Sequence, residues 1–423
     1  MFRWMPVSRS VTTGVPIRSR RYIRQSGRTG KIQKDMNVFE RMSMPTGIPL
    51  WKIRREVRRL AGQVLGLPAK IADTPRRLRE PARRAAHDRN FERVTRLTAG
   101  NVPLKGRIAI LLIYQPAGVA VSTLMTCRWL VAEGYSPFLV SNTPLGDAGR
   151  KQLQTECWRL LERQNFGYDF GGYRDAILAL GRLQLAPERL IVMNDSVWMP
   201  MSPDLMTRLE TLAEKADIVG LLRDEKVRHD TAGGHPSERF HLESYFYLIT
   251  KTALEHPAFQ EFWETYQMTD FKPDTIKHGE IGFSRRMTKA GLRLEALTRR
   301  SMFLEHLATQ DDAFLIKTLR YAAYADRDLE KAAARLAQRD PSETGWRAAA
   351  VDHIRRAVNR KRFNATFPYA NDRIFGTIFM KKSAEPIFCA MRQGYLRALS
   401  DGELAAPPDA VLDEIRSITA ARK

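Results

Sequence analysis

The stretch that decides the fold is Arg107 to Tyr114, RIAILLIY, an unbroken apolar run behind one arginine. A run this long, rich in isoleucine and without helical spacing, reads as a strand buried on both faces. It is far short of the roughly 20 residues a membrane-spanning helix needs. Working outward, Val119 to Glu133 reads as a helix stopped by Gly134, Pro137 to Ser141 as a second strand, and Asp147 to Leu161 as a second helix. A helix over Tyr173 to Leu183 leads to a strand over Leu190 to Met193. Then come a helix over Pro203 to Lys215 and a strand over Asp217 to Leu222. Strands and helices alternating at this spacing imply right-handed crossovers and a mostly parallel sheet flanked by helices. Ligands of such sheets gather beyond the carboxyl ends of the strands, where Asn142 and Asp195 fall. Further on, His241 to Ile249 and Arg293 to Thr298 read as strands, and Pro257 to Tyr266 and Glu280 to Ala290 as helices. Beyond about residue 300 the chain reads as helical and charged.

The 423 residues and 43% hydrophobic content fit a folded chain with room for two domains. The net charge of +22 is unevenly spread. Residues 1–100 hold 24 Lys and Arg against 7 Asp and Glu, so +17 belongs to the N-terminal quarter. A basic arm of this kind suits an anionic surface, phospholipid or nucleic acid. Residues 1–46 read as a disordered basic tail and 47–100 as a basic helical arm. In that arm Leu50, Ile53, Val57, Leu60, Val64 and Leu67 form an apolar stripe opposite Lys52, Arg54, Arg55, Arg58 and Arg59, with Trp51 at the edge. Such a helix lies in an anionic membrane interface or docks on the domain beside it; both readings stand at this point. A second basic helix is expected over Arg76 to Leu97, then a linker over Thr98 to Lys105. The acid-free first 34 residues resemble an organelle transit peptide, but a disordered tail is the expectation. Ser19 to Arg24 resembles a twin-arginine signal without the apolar stretch that would have to follow. Cys127, Cys157 and Cys389 have no metal-ligand spacing and fit a reducing compartment.

The chemistry concentrates in Gly167 to Asp175, GYDFGGYRD, and in Asn194-Asp195-Ser196 at the end of a strand. Glycines such as Gly171 admit close backbone approach, Tyr168 and Asp169 suit a base or ribose, and Arg174 suits phosphate. A carboxylate at a strand end can hold a divalent cation against a diphosphate, and Asp195 stands there. Transferases that do this usually carry two aspartates one residue apart; here the flanking residues are Asn194 and Ser196, and a plain strand-end turn would look the same. Glu280, after His278-Gly279, is the candidate general base; a glutamate at a helix start is also favoured by the helix dipole alone. His241 could orient a substrate or bind phosphate.

These residues resemble a known family. Asn165-Phe166-Gly167-Tyr168-Asp169-Phe170-Gly171, then Asn194-Asp195-Ser196, His241 to Phe246 and Glu280-Ile281-Gly282 look like the rhamnan synthesis protein F family, over roughly residues 105–300. Asn364-Ala365-Thr366 and Phe379-Met380-Lys381-Lys382 are similar to a second segment of that family. Two departures are Glu243, where glutamine is expected, and Gln115-Pro116, where polar His- or Tyr-type residues are usual. The resemblance implies a GT-A-like glycosyltransferase domain over 101–300, followed by a helical region over 301–423. It implies a metal-dependent hexosyltransferase that moves a deoxyhexose such as rhamnose from a nucleoside diphosphate sugar to a cell-surface polysaccharide or lipid-linked glycan. Asp195 would hold Mg2+ or Mn2+ and act with Glu280 as catalytic group; Asn142, Asn165, Tyr168, Asp169, Gly171, Arg174, Asn194 and His241 would bind the donor. The enzyme would be cytoplasmic and peripheral at the inner face of the cell membrane, anchored through its basic arm. The rival reading is a non-catalytic glycan- or nucleotide-binding protein on a degenerate transferase fold, favoured by the single carboxylate of Asn194-Asp195-Ser196. Nucleic-acid binding finds no supporting motif.

Overall fold

Alternate residues of the strand Arg107–Ile113 serve two different cores. Ala109, Leu111 and Ile113 belong to a core that continues through Trp198 and Phe303 into the C-terminal helices. Ile108, Ile110 and Leu112 belong to another, built on Phe170, Trp263 and Phe283. The period-two geometry of a strand makes this division, and each fully buried Leu, Ile or Phe contributes about 1.5–3 kcal/mol. The computed structural model describes residues 67–226, 239–324, 326–360 and 363–420. The chain divides into the units Met1–Ala69 and Lys70–Lys423. The tail over 1–46 and the stripe from Leu50 to Val64 lie outside the described residues.

The sheet comprises β1 (Thr95–Ala99), β2 (Arg107–Ile113), β3 (Ser136–Ser141), β4 (Arg159–Arg163), β5 (Arg189–Asn194), β6 (Ile218–Lys226), β7 (Arg239–Leu242), β8 (Phe246–Thr250) and β9 (Leu294–Arg299). Their order is β1-β4-β3-β2-β5-β8-β6-β7, with β9 beside β6. The left half is parallel apart from β1, which is antiparallel to β4: β3 pairs with β4, and β2 with both β3 and β5. The right half is mixed, because β8 runs antiparallel to β5 and β6, and β7 antiparallel to β6, while β9 is parallel. The mostly parallel sheet expected from sequence therefore holds for β2 to β5 only. β7 and β8 follow one another along β6, β7 against Arg223–Lys226 and β8 against Ile218–Gly220, and both oppose its direction.

Three local expectations change. The helix from Asp147 ends at Thr155, and Arg159–Arg163 becomes β4, because the spacing of Leu153, Cys157, Leu160 and Leu161 fits either structure. Thr95–Ala99, read as the end of a basic helix and the start of a linker, is an edge strand on β4. The helix Leu67–Arg89 before it is no free arm from Lys70 onward. Arg77 and Arg83 pair with Asp274 and Asp270, Glu80 accepts from Thr269 Oγ1 at 2.9 Å and Asp270 N at 2.8 Å, and His87 is buried against Asp175 at 2.9 Å. Part of the basic charge is thus spent inside the molecule.

The C-terminal region is helical, as expected, and includes Trp346–Arg360, Pro386–Ser400 and Asp409–Ala420. One extended piece of it returns to the sheet. Trp198 N donates to Met380 O at 3.3 Å and Lys382 N to Ser196 O at 2.8 Å, with Val197 bridged to Lys381.

Candidate active site

The first residues to place are the glycines. Gly167 has φ +83° and Tyr168 φ +51°, and the helix Tyr168–Arg182 starts at once, five residues earlier than its sequence suggests. A Cβ on Gly171 would stand 2.1 Å from Phe166 O, and one on Gly172 1.9 Å from Leu112 Cδ1. Gly172 thus lets the helix lie directly on β2, and Gly171 lets it close on the loop that leads into it. Gly171 acts through this packing rather than by facing a ligand. Phe170 stacks on Trp263 at 5.7 Å in the core, so Tyr168 and Asp169 are left at the surface of a cleft.

Beyond the carboxyl ends of β2, β3 and β5 lies a cavity of about 580 Å3, lined by Tyr114, Gln115, Asn142, Asn165, Asp195 and Glu414 among others. A second, of about 440 Å3, is lined by Glu243, Ser244, Glu280, Lys272, Lys381 and Glu385 among others. Tyr168, Asp169, Asn194, Ser196 and Lys382 line both, so the two are halves of one cleft.

Asp195 is fixed at the floor. Its N–H donates to Leu112 O at 3.0 Å, and its Oδ2 accepts from Tyr114 N at 3.2 Å and Gln115 Nε2 at 2.9 Å. Gln115, a departure from the family pattern, is therefore the clamp on this carboxylate. It is set in turn by Ala120 N, which donates to its Oε1 at 2.8 Å. Asn194 Nδ2 donates to Asp169 Oδ2 at 3.0 Å, which ties the glycine loop to the strand end. Burial raises the carboxyl of Asp169 above its usual range, with Glu280 and Asp195 adding repulsion. Burial also raises Asp195, against the opposing pull of Lys382.

Glu280 closes the other half. It ends a π-helical turn, Thr275–Glu280, followed by the helix Ile281–Lys289. Its Oε2 accepts from Ser244 N at 3.1 Å and Ser244 Oγ at 2.6 Å, and its Oε1 meets His241 Nε2 at 3.1 Å. Burial would raise its pKa, but the bonds from His241 and Ser244 prevail and hold it below the usual range. For His241 burial acts to lower the pKa, and the bond to Glu280 overcomes it to leave the imidazole raised. Glu280 is thus an ionised, fully held carboxylate.

Of the residues singled out by sequence, Asn142, Asn165, Tyr168, Asp169, Asn194, Asp195 and Glu280 line the cleft, and His241 stands behind Glu280. Arg174 does not join them. It is buried, donates to Asp88 at 2.6 and 3.0 Å and to Trp263 O at 2.9 Å, and docks the N-terminal helix instead of a phosphate. The cations that do reach the cleft, Lys272, Lys381 and Lys382, carried no assigned role. Tyr114, 54% exposed at the mouth, is a second omission, an aromatic face open to a flat ring.

Two groups of side chains bear on a metal. Asp224, His241 and Glu243 bring one ligand atom each within 4.8 Å of one another, yet His241 is engaged by Glu280 and Glu243 by Lys381 at 3.4 Å. Asp195 with Asp169 offers oxygen donors suited to a hard divalent cation. Burial opposes the charge of both, a penalty that a cation would relieve.

Comparison with known proteins agrees with the motifs. A protein from Sinorhizobium fredii designated uncharacterized protein y4gN is 33% identical over 246 residues, 58% of this chain; the match spans 61% of that relative's length. Among solved structures, a glycosyltransferase involved in glycosylation of the major capsid of PBCV-1 is similar at 12% identity and TM-score 0.25, covering 45% of this chain and 81% of its own. A mannosyltransferase from Pyrobaculum calidifontis in complex with GDP-Man and Mn2+ is similar at 9% identity and TM-score 0.27, covering 83% and 96%. TarS 1-349 of S. aureus follows at 10% identity and TM-score 0.25, covering 70% and 92%. Residues 138–319, which carry the glycine loop, Asp195, His241 and Glu280, match the family described as rhamnan synthesis protein F.

Proposed function

We propose that this protein is a glycosyltransferase of GT-A type that takes its sugar from a nucleoside diphosphate donor. The observation that carries the reading is the charge of the two-part cleft. Asp169, Asp195, Glu243, Glu280, Glu385 and Glu414 stand against Lys272, Lys381 and Lys382. A diphosphate entering so acidic a cleft needs a divalent cation beside it. Asp195, with Asp169 across Asn194, would hold Mg2+ or Mn2+, which supplies Lewis-acid stabilisation of the leaving diphosphate.

In this reading Tyr114, Asn142, Asn165 and Tyr168 line the nucleoside half, and the sugar and acceptor lie in the half containing Ser244 and Glu280. Glu280 is the base that accepts the acceptor's hydroxyl proton; it is ionised before substrate binds, and His241 fixes its orientation. Its lowered pKa limits its strength as a base, so the barrier must fall mainly through stabilisation of the leaving group. The family match supports a deoxyhexose such as rhamnose as the sugar, and a cell-surface polysaccharide or lipid-linked glycan as acceptor. No helix among the described residues is long and apolar enough to cross a membrane. A peripheral place at the inner face of the cell membrane would rest on the basic residues of 1–66; a chain starting at Leu67 should then lose salt-sensitive binding to anionic vesicles.

The test is a screen of nucleotide sugars with the full chain, with and without Mg2+ or Mn2+, reading donor hydrolysis and transfer. Asp195→Ala should lower turnover at least a hundredfold with little change in melting temperature. Donor binding without hydrolysis or transfer under any condition would favour the non-catalytic binding protein instead.

A further inference from the structure

The halves of the cleft meet at Tyr168, Asp169, Asn194, Ser196 and Lys382, and Lys382 is the cation of that group. A donor with its nucleoside beside Asn142 and its sugar beside Glu280 must lay its diphosphate across this junction. The backbone of Lys382 is fixed by its bond to Ser196 O at 2.8 Å, one residue after Asp195. Buried Arg392 secures the same segment, donating to Lys381 O at 2.8 Å and Ser383 O at 3.0 Å. The ammonium itself is held by side chains. Its Nζ donates to Ser122 Oγ at 2.8 Å and pairs with Glu414 Oε1 at 3.2 Å, 5.5 Å from the Trp198 ring centre. Glu414, from the last helix Asp409–Ala420, lines the nucleoside half and is the carboxylate a diphosphate would displace. Lys381 differs. It pairs with Glu243 at 3.4 Å, lies over Tyr245 and Phe388, and reaches only the sugar half.

We propose that Lys382 is the phosphate-binding cation of the site, exchanging Glu414 for the donor's diphosphate. The inference rests on the transferase reading above. In the transfer step the bond between the anomeric carbon and the diphosphate oxygen breaks, and its electron pair goes to that oxygen. The acceptor oxygen bonds to the anomeric carbon and gives its proton to Glu280. Lys382 neutralises the charge arriving on the leaving group, as a point charge suited to phosphate. Nucleoside and phosphate would thus be recognised by parts of the chain far apart in sequence.

The experiment is calorimetric titration of the full chain in Mg2+ with UDP, GDP and dTDP and their monophosphates. It reads the ratio of diphosphate to monophosphate affinity for the base that binds best. Lys382→Gln should lower that ratio about ten- to a hundredfold, the scale of one charged hydrogen bond, while Lys382→Arg should keep most of it. Glu414→Gln, which removes the rival carboxylate, should raise the ratio, and it decides the matter if Lys382→Gln does not fold. An unchanged ratio in folded Lys382→Gln, or an unchanged or lowered one in Glu414→Gln, overturns the role of Lys382 and leaves the transferase reading standing. A wild-type chain that binds none of these nucleotides overturns both.

Discussion

The N-terminal helix and the C-terminal strap, the extended segment around Lys382, both bear on the cleft, by opposite means. No described side chain of the helix Leu67–Arg89 lines it. Its influence runs through a buried relay in which His87 meets Asp175, Asp175 accepts from Arg163 Nε at 2.7 Å, and Arg163 Nη1 donates to Asn142 Oδ1 at 2.6 Å. The strap around Lys382 contributes side chains to the lining directly. The relay therefore sets geometry and the strap sets charge, so damage to the first should appear as lost stability and damage to the second as lost phosphate recognition.

The harshest way to break the comparison is to remove one side of it. A chain beginning at Gly100 lacks His87, Glu80 and the edge strand β1, and its cooperative unfolding transition should disappear, as circular dichroism on heating would show. A Gly100 start that melts like the full chain would make the N-terminal helix a passenger. Next in size is Arg163→Met. Arg163 and Asp175 are fully buried, and the Arg163 charge holds the Asp175 carboxyl below its usual range despite burial, which acts the other way. Leaving that carboxylate without its arginine should cost about 3–5 kcal/mol by urea denaturation. A cost under 1 kcal/mol would mean that the relay carries little.

On the other side, Arg392→Met deprives the carbonyls of Lys381 and Ser383 of a donor. Its stability cost should be smaller, about 1–3 kcal/mol, with a larger proportional loss of diphosphate affinity. Equal losses for diphosphate and monophosphate would show that the strap acts as scaffold alone. The smallest effect expected is a pH signature of His241 and Glu280. The raised His241 pKa gives stability that is full below its ordinary 6.5 and fades as pH rises through the folded value. The lowered Glu280 pKa gives stability that is full above its ordinary 4.5 and fades as pH falls through the folded value. The drop in melting temperature caused by Glu280→Gln should therefore be greatest between those two values and shrink at alkaline pH. A drop constant across the range would show His241 uncharged in the pair.

How far the sequence could be read follows from whether a residue's partner is local. β2 was legible because both its faces are apolar, and Asp195 because it follows directly on such a strand. β4 was not: Arg159–Arg163 is short, charged at both ends, and becomes a strand only because β3 and β1 lie on either side. Arg174 sat in the right motif, yet its helix turns it toward Asp88, a partner visible only once the N-terminal helix is docked. Gln115 read as a family departure and proved to be a clamp, since its bond joins the ends of two neighbouring strands. Lys382 lay inside a noted segment, but nothing local says that Ser196 will pair with it.

The π-helical turn Thr275–Glu280 makes the site sensitive to residue number as well as residue type. Such a turn carries one more residue than an α-helical turn, and Gly279 fits there against Phe170, where a Cβ would come within 2.7 Å of the ring. Deleting a single residue between Asp274 and Ile281 would rewind the segment and swing Glu280 by about 100° away from His241 and Ser244. A homologue one residue shorter there could keep every motif letter in alignment and still have no carboxylate at that wall of the cleft.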